Sequence, residues 1–289
     1  MTSRFGIAFG KGPLLAVDAP ALLYRSFFGV PKTIANNALL GTANTLLAVS
    51  AAHSARAVVI CFGAERAAYR AVAYPAYHAH RPPMPPELAT QFDLATPLFR
   101  AFGWIVDDSD TLEADDLVHS YAQVEAEAGG TALILTGDRD LYQSVNAKVN
   151  VLMMQKGGVP PARIDEAEVL ARYGVRADQV PDFIALRGDP SDGLPGAKGI
   201  GEKSAGDLLR AYDTLEEVIA KAPLKPTAGV AVRAIAAQAD ILRIFRDVAT
   251  VRRIDVARPS DTPLDRAAAA IAARANKLAR VADRLDAMT

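Results

Sequence analysis

Five apolar runs of strand length mark the chain, at residues 14–18, 57–62, 104–107, 132–136 and 149–153, and each ends at an acid or a turn. Segments with apolar positions at helical spacing lie between most of them. The pattern therefore predicts an α/β protein with a mainly parallel central sheet flanked by helices. Such sheets bind ligands beyond the carboxyl ends of their strands, where Asp18 and Asp138 are expected to stand.

The pattern changes twice. From 63 to 86 the periodicity fails while Arg, Tyr, His and Pro accumulate, ending in Arg81-Pro82-Pro83-Met84-Pro85-Pro86. A loop this long in a compact domain is functional or disordered, and its basic and aromatic content favours function. From about residue 162 the pattern turns helical, with alanine-rich helices expected over 230–244 and 266–287. The chain reads as an α/β core over 1–180, holding the unusual segment 63–90, followed by a helical region over 181–289.

A chain of 289 residues suits one large domain or two closely joined ones. Its single cysteine, Cys61, excludes disulfides and a thiolate zinc site and suits a reducing cytoplasm. No apolar stretch approaches the roughly 20 residues of a membrane span. The N-terminus shows no basic region leading into a hydrophobic signal core, so no membrane association is expected. The formal net charge of −1 is unusual for a phosphate binder. Net charge averages over the surface, however, and acids gathered in one site leave the remainder more basic.

Four acidic clusters stand out: Asp18 after the first strand; Glu113, Asp115 and Asp116 opening a helix; Asp138 and Asp140 after a strand; Asp189 and Asp192 at a turn. Mg²⁺ and Mn²⁺ prefer such oxygen ligands. Two ions roughly 3.5–4 Å apart can neutralise the attacking and leaving oxygens of a phosphodiester. If these eight carboxylates converge, their repulsion requires cations among them. Each cluster alone has a plainer reading, because acids at helix starts favour the macrodipole and acids in turns make local hydrogen bonds. Asp-x-Asp after a strand also occurs in phosphatases that use one acid as nucleophile.

Residues 194–205 read as a helix, a tight glycine turn and a second helix starting near Glu202. Gly199 and Gly201 would let the backbone approach phosphates, and the free N–H groups at a helix start, near Ser204, favour anions. Lys198 and Lys203 add positive charge. The arrangement suits a helix-hairpin-helix type of reader that grips duplex DNA without reading its sequence, although ordinary interhelical turns also use glycine.

These segments resemble the bacterial 5′-nuclease family, which includes the N-terminal domain of family A DNA polymerases and the flap endonucleases. The likeness is carried by Leu15-Ala16-Val17-Asp18, Tyr24-Arg25, Glu113-Ala114-Asp115-Asp116, Leu135 through Gln143, and above all the run from Asp182 to Ala205. It covers about residues 13 to 250, and a stand-alone nuclease without a polymerase domain is expected. The resemblance implies a PIN-like nuclease core, a helical arch over 63–90 that passes the 5′ strand, and two-metal cleavage of DNA in replication and repair. The expected substrates are duplexes with a 5′ flap, nick, gap or free 5′ end.

By the same resemblance the eight acids fall on metal positions. Asp115, Asp116, Asp138 and Asp140 would hold the catalytic ion, and Asp189 and Asp192 would complete a second site. Arg70, His78 and Arg81 would lie near the scissile phosphate, Tyr69 and Tyr77 would stack on the unpaired strand, and Tyr24 and Arg25 would touch DNA. Mg²⁺ or Mn²⁺, two or more ions, and K⁺ at the hairpin are the implied cofactors. A monomer acting in the nucleoid alongside a DNA polymerase or ligase is the implied setting. Two departures stand out. Phe62-Gly63 replaces the family's Phe-Asp, removing one carboxylate, and Tyr77-His78 replaces Tyr-Lys. Histidine is cationic only part of the time near neutral pH, so weaker activity or a shifted pH or metal preference is expected. The competing expectations are a weakened relative that mainly binds flaps or junctions, a small phosphatase, and a PIN-type ribonuclease.

Overall fold

The computed structural model describes residues 12–225 and 227–288. Six strands, β1 (Leu14–Asp18), β2 (Ala57–Cys61), β3 (Ile105–Asp107), β4 (Ala132–Thr136), β5 (Val149–Met153) and β6 (Ala162–Ile164), form one sheet in the order β3-β2-β1-β4-β5-β6. All neighbours run parallel except β5 and β6. The five runs expected as strands are strands. The short antiparallel β6 falls where helix was expected, since three residues are too few to show a period of two.

Thirteen α-helices are described: α1 (Ala19–Gly29), α2 (Asn37–Ala52), α3 (Ala68–Ala73), α4 (Pro86–Ala101), α5 (Ala114–Glu127), α6 (Glu166–Tyr173), α7 (Val180–Arg187), α8 (Glu202–Tyr212), α9 (Leu215–Lys221), α10 (Val230–Arg233), α11 (Ala239–Ala249), α12 (Arg266–Ala275) and α13 (Ala279–Asp286). Alternate residues of each strand serve opposite faces. Leu14, Ala16, Val59 and Ile134 pack with Leu117 of α5, Phe183 of α7 and Leu242 of α11. Leu15, Val17, Ile60 and Leu135 pack with Leu22 of α1, Leu39 of α2 and Phe99 of α4.

The second face also takes Ala269 of α12 and Val281 of α13. The last two helices of the region expected over 181–289 therefore pack against the core of the α/β unit. The connecting chain is tied down on the way, with Thr262 accepting a 2.7 Å hydrogen bond from the Val58 amide. Helix 230–244 is interrupted before α11, and helix 266–287 breaks at 276–278, where Lys277 has φ 60°. Alanine-rich composition marks the propensity but not these breaks. Among the described residues no helix is long and apolar enough to cross a membrane. The expectation about a signal segment concerns residues 1–11, which lie outside the described ones.

Candidate active site

Strand order reverses between β1 and β4, and the crevice opens at that switch point beyond their carboxyl ends. Asp18 ends β1 and caps α1, accepting from the Ala21 amide at 3.1 Å. Thr136, the last residue of neighbouring β4, donates its hydroxyl to Asp18 at 2.6 Å and accepts from the Asp138 amide at 2.9 Å. Asp138 in turn accepts from the Asp140 amide at 2.8 Å. Parallel pairing of Val17 with Leu135 thus brings three carboxylates from two distant segments to one edge. Asp115, in the first turn of α5, joins them from a third segment.

These four acids disturb one another. Burial first, then the charges of Asp18 and Asp138, raise Asp115 well above the ordinary carboxylate range. Burial and Asp138 do the same to Asp140. Asp138 is pushed up to about 6, chiefly by burial, with Asp192, Asp18 and Asp189 adding to it. Burial also raises Asp18. A cluster of hard oxygen donors, buried and mutually repelling, is chemically suited to Mg²⁺ or Mn²⁺. Among the described residues no three His, Cys, Asp or Glu groups are already drawn to ligating distance.

Glu113 and Asp116, from the same turn as Asp115, are held by other partners. Glu113 accepts from the Ala67 amide at 2.7 Å and the Tyr77 hydroxyl at 2.8 Å, and pairs with Arg70 at 2.9 Å. Asp116, fully buried, accepts from the Tyr69 hydroxyl, from Arg70 at 2.9 Å and from the Arg252 amide at 2.8 Å. The fold thus gives Glu113 and Asp116 protein partners of their own, while Glu113 still acts on Asp115 through its charge. Protein donors on α3 and its flanks already satisfy Glu113 and Asp116, which bind the base of the 63–90 segment to the core.

Arg70 is the centre of that base. Its side chain is 3% exposed and its Nε donates to the Val248 carbonyl at 3.0 Å. Burial opposes its charge, but Glu113 and Asp116 more than offset this and raise its pKa. The structure places Arg70 inside a closed ion-pair network, not at an open phosphate position. Tyr69 is likewise committed to Asp116, with the Arg252 guanidinium 3.3 Å over its ring. Tyr77 is 3% exposed and faces Glu113, so neither tyrosine offers a free face for stacking a base here.

The segment itself contains one short helix, α3, and then turns through 74–79 into an extended proline stretch before α4. Its tip lies against the loop after α7. His78 Nε2 is 2.9 Å from Asp192 Oδ1, Arg81 Nη2 is 3.1 Å from the same oxygen, and the His78 amide donates to the Asp192 carbonyl. Asp189 accepts from Arg187 at 3.2 Å and from the Ser191 amide and hydroxyl. Both loop acids influence Asp138 and Asp140, so the loop borders the crevice.

Gly63 is required by close packing. A Cβ there would lie 2.5 Å from the Ala114 nitrogen and 2.5 Å from the Leu112 oxygen. The backbone entering α5 thus occupies the space a side chain at 63 would need.

The hairpin differs in detail from its sequence reading. The preceding helix, α7, ends at Arg187, and residues 188–201 form a turn-rich link stabilised by the Asp189–Leu194 bridge. Pro190, Pro195 and five glycines account for this loss of helix. Gly201 caps α8 with open space around it, while Lys198 and Lys203 are exposed. Lys203 pairs with Asp207 at 2.6 Å, and Ser204 lies in the first turn of α8. Tyr24 and Arg25 are half-buried on α1, Tyr24 edge-on to Phe92 at 5.9 Å. Sequence reading overlooked Thr136, Arg252 and Gln143, whose side chain bonds the Ala249 carbonyl and the Val251 amide. Thr136 could have been found as a hydroxyl at a strand end. For Arg252 no sequence signal exists, because its partner Asp116 lies 136 positions away.

Comparison with known proteins agrees with this geometry. The family described as 5′-3′ exonuclease, N-terminal resolvase-like domain, matches residues 13–174, and its companion, the C-terminal SAM fold, matches 175–283. DNA polymerase I of Mycobacterium tuberculosis (strain H37Rv) is 34% identical over 260 residues, covering 87% of this chain and 28% of the relative. Thermostable DNA polymerase I of Thermus thermophilus is 37% identical over 214 residues, covering 72% and 25%. The chain thus spans little more than a quarter of these relatives' length. T5 5′-exonuclease with zinc bound superposes with a TM-score of 0.70 at 17% identity, covering 94% of this chain and 96% of that one. The catalytic core of Rad2 in complex with DNA substrate gives 0.67 at 13%, covering 96% and 92%. On the two family matches, which cover most of its length, the chain belongs to the 5′-3′ exonuclease family.

Proposed function

We propose that the chain is a metal-dependent 5′-nuclease that hydrolyses DNA phosphodiester bonds at 5′ flaps, nicks, gaps and free 5′ ends. The observation that carries the reading is the self-repelling set Asp18, Asp115, Asp138 and Asp140 at the β1/β4 switch point. These four would hold one divalent ion, and Asp189 and Asp192 a second. When bound, Mg²⁺ or Mn²⁺ supplies a water of lowered pKa and neutralises the departing 3′-oxygen. Thr136 and the Ala21 amide keep Asp18 oriented, and the Asp140 amide does so for Asp138.

Duplex would be gripped at the N-terminus of α8, where Gly201 leaves room for phosphate and Lys198 is unobstructed. In this reading K⁺ is held by main-chain carbonyls of the 197–201 turn. The protein acts as a monomer whose nicked products suit a ligase and whose gaps suit a polymerase. A weakened, mainly flap-binding protein is the second reading, favoured by the capture of Asp192 by His78 and Arg81.

The test is substrate preference. Rates with Mg²⁺ and Mn²⁺ are compared on a 5′-flap duplex, a phosphate monoester and single-stranded RNA. Flap cleavage that disappears in Asp138→Asn supports the nuclease. Tight flap binding without cleavage at high enzyme supports the second reading, and monoester or RNA preference refutes both.

A further inference from the structure

The glycine turn that leads into α8 is braced from a segment 40 positions away. Gln238 Oε1 accepts from the Lys198 amide at 2.9 Å, and its Nε2 donates to the Ala234 carbonyl at 3.0 Å. A main-chain amide only donates and a carbonyl only accepts, so the side chain of Gln238 fits one way round. Both of its polar atoms are thus engaged within the protein.

The turn needs such a brace. Gly196 and Gly199 have φ of 69° and 80°, in the left-handed region that glycine enters readily and leaves as readily. The Ala197 amide is held by the Leu186 carbonyl at 2.9 Å, and the Ile200 amide by the Ala197 carbonyl at 3.0 Å. Between them the Lys198 amide has no main-chain partner among the described residues, and Gln238 supplies one.

The bracing segment buries little else. α10 and the 3₁₀ turn Ala236–Gln238 contain no buried residue, and Val230 at the start of α10 is 88% exposed. Ile235 is buried in the same core as Ala197 and Ile200. Ala231 lies against Gly199, where an added Cβ would come within 3.1 Å of the alanine Cβ. Of these contacts only that of Gln238 is directional, so it is the one that sets how the turn faces.

What the turn aims is the start of α8. The amides of Gly201 to Ser204 lie at the helix N-terminus, where no helical carbonyl precedes them to accept their hydrogens. We propose that Gln238 is a positioning residue for duplex binding: by holding the Lys198 amide it keeps the turn in the conformation that presents these amides to a backbone phosphate. The inference rests on the duplex-gripping role of the hairpin given above. One neutral hydrogen bond shifts a conformational equilibrium about fivefold, and affinity falls with the fraction of molecules left in the competent state.

The test compares the whole chain with Gln238→Met, which keeps the length of the side chain and removes both hydrogen bonds. Binding of a blunt duplex in chelator is followed by fluorescence anisotropy, amide exchange by nuclear magnetic resonance, and cleavage of a 5′-flap duplex with Mn²⁺ by steady-state kinetics. Expected are about fivefold weaker duplex binding, a KM raised in step with kcat unchanged, and faster exchange of the Lys198 amide. Exchange at Lys198 in wild type is read even if the variant folds poorly, and exchange at the rate of an open amide there overturns the proposal. Wild-type duplex affinity in Gln238→Met, or a fall in kcat with KM unchanged, also overturns it and leaves the hairpin reading intact. Failure of wild type to bind duplex overturns the hairpin reading as well.

Discussion

Arg70→Met separates a positioning role from a phosphate-binding one. The substitution keeps the buried stem but removes a guanidinium that is 3% exposed and pairs at 2.9 Å with both Glu113 and Asp116. It also strips the Val248 carbonyl of a 3.0 Å donor. Removing one partner of a buried ion pair costs about 3–5 kcal/mol because the remaining charge stays buried. Here Glu113 retains the Ala67 amide and Tyr77, and Asp116 retains Tyr69 and the Arg252 amide, so the lower end, about 3 kcal/mol, is expected. Part of that loss should be local, since α3 is only six residues long and depends on this anchor. Urea unfolding gives the global term, and hydrogen exchange of the 67–78 amides gives the local one. Cleavage should fall with the loss of an ordered α3 and recover partly in Arg70→Lys. A variant with wild-type urea midpoint and exchange, but cleavage down a hundredfold, would refute the anchor role and place Arg70 at the phosphate.

Asp138→Asn should abolish cleavage yet stabilise the protein in chelator. Because the folded-state pKa of Asp138 is raised to about 6 from an ordinary 3.8, its ionisation penalises the folded state. The penalty is absent below pH 3.8 and complete above about pH 6, so the stability advantage of the variant should grow across that window in thermal melts. An advantage independent of pH would contradict this. Saturating Mn²⁺ should raise the melting temperature of wild type more than that of Asp138→Asn, and equal shifts would remove Asp138 from the ion. Gly63→Asp should not restore a metal carboxylate, because its Cβ meets the 112–114 backbone; it should cost about 2 kcal/mol or more in urea melts. Gly201→Ser should leave stability unchanged within about 0.5 kcal/mol, since serine is a good helix cap. Duplex affinity should nevertheless fall, because the space left by glycine is filled; unchanged binding would remove the hairpin from the DNA interface.

Much of the fold was legible because strand ends and acids coincide in the sequence. Asp18, Asp138 and Asp140 follow apolar runs, and parallel pairing of β1 with β4 then makes their proximity a consequence of topology. What sequence could not show is how charge is shared. Glu113 and Asp116 sit one residue either side of Ala114 and Asp115, yet the turn of α5 points them at Arg70 while Asp115 faces Asp18 and Asp138. Tertiary partners decide which acids remain free for a cation. Gly63 and His78 looked like losses relative to the family. In the structure Gly63 marks a close backbone crossing, and His78 has exchanged solvent for Asp192. The packing of α12 and α13 on the α/β core was not legible for a similar reason, since alanine-rich amphipathic segments do not say which core they complete.

The most direct test of the central claim is product mapping at single-nucleotide resolution on a 5′-flap duplex, with Mn²⁺ and then with chelator, for wild type and Asp138→Asn. The account predicts metal-dependent cuts at the base of the flap that leave a ligatable nick, with none in chelator or in the variant. Cleavage that survives chelation or the loss of Asp138, or cuts scattered along the flap without regard to the junction, would contradict it.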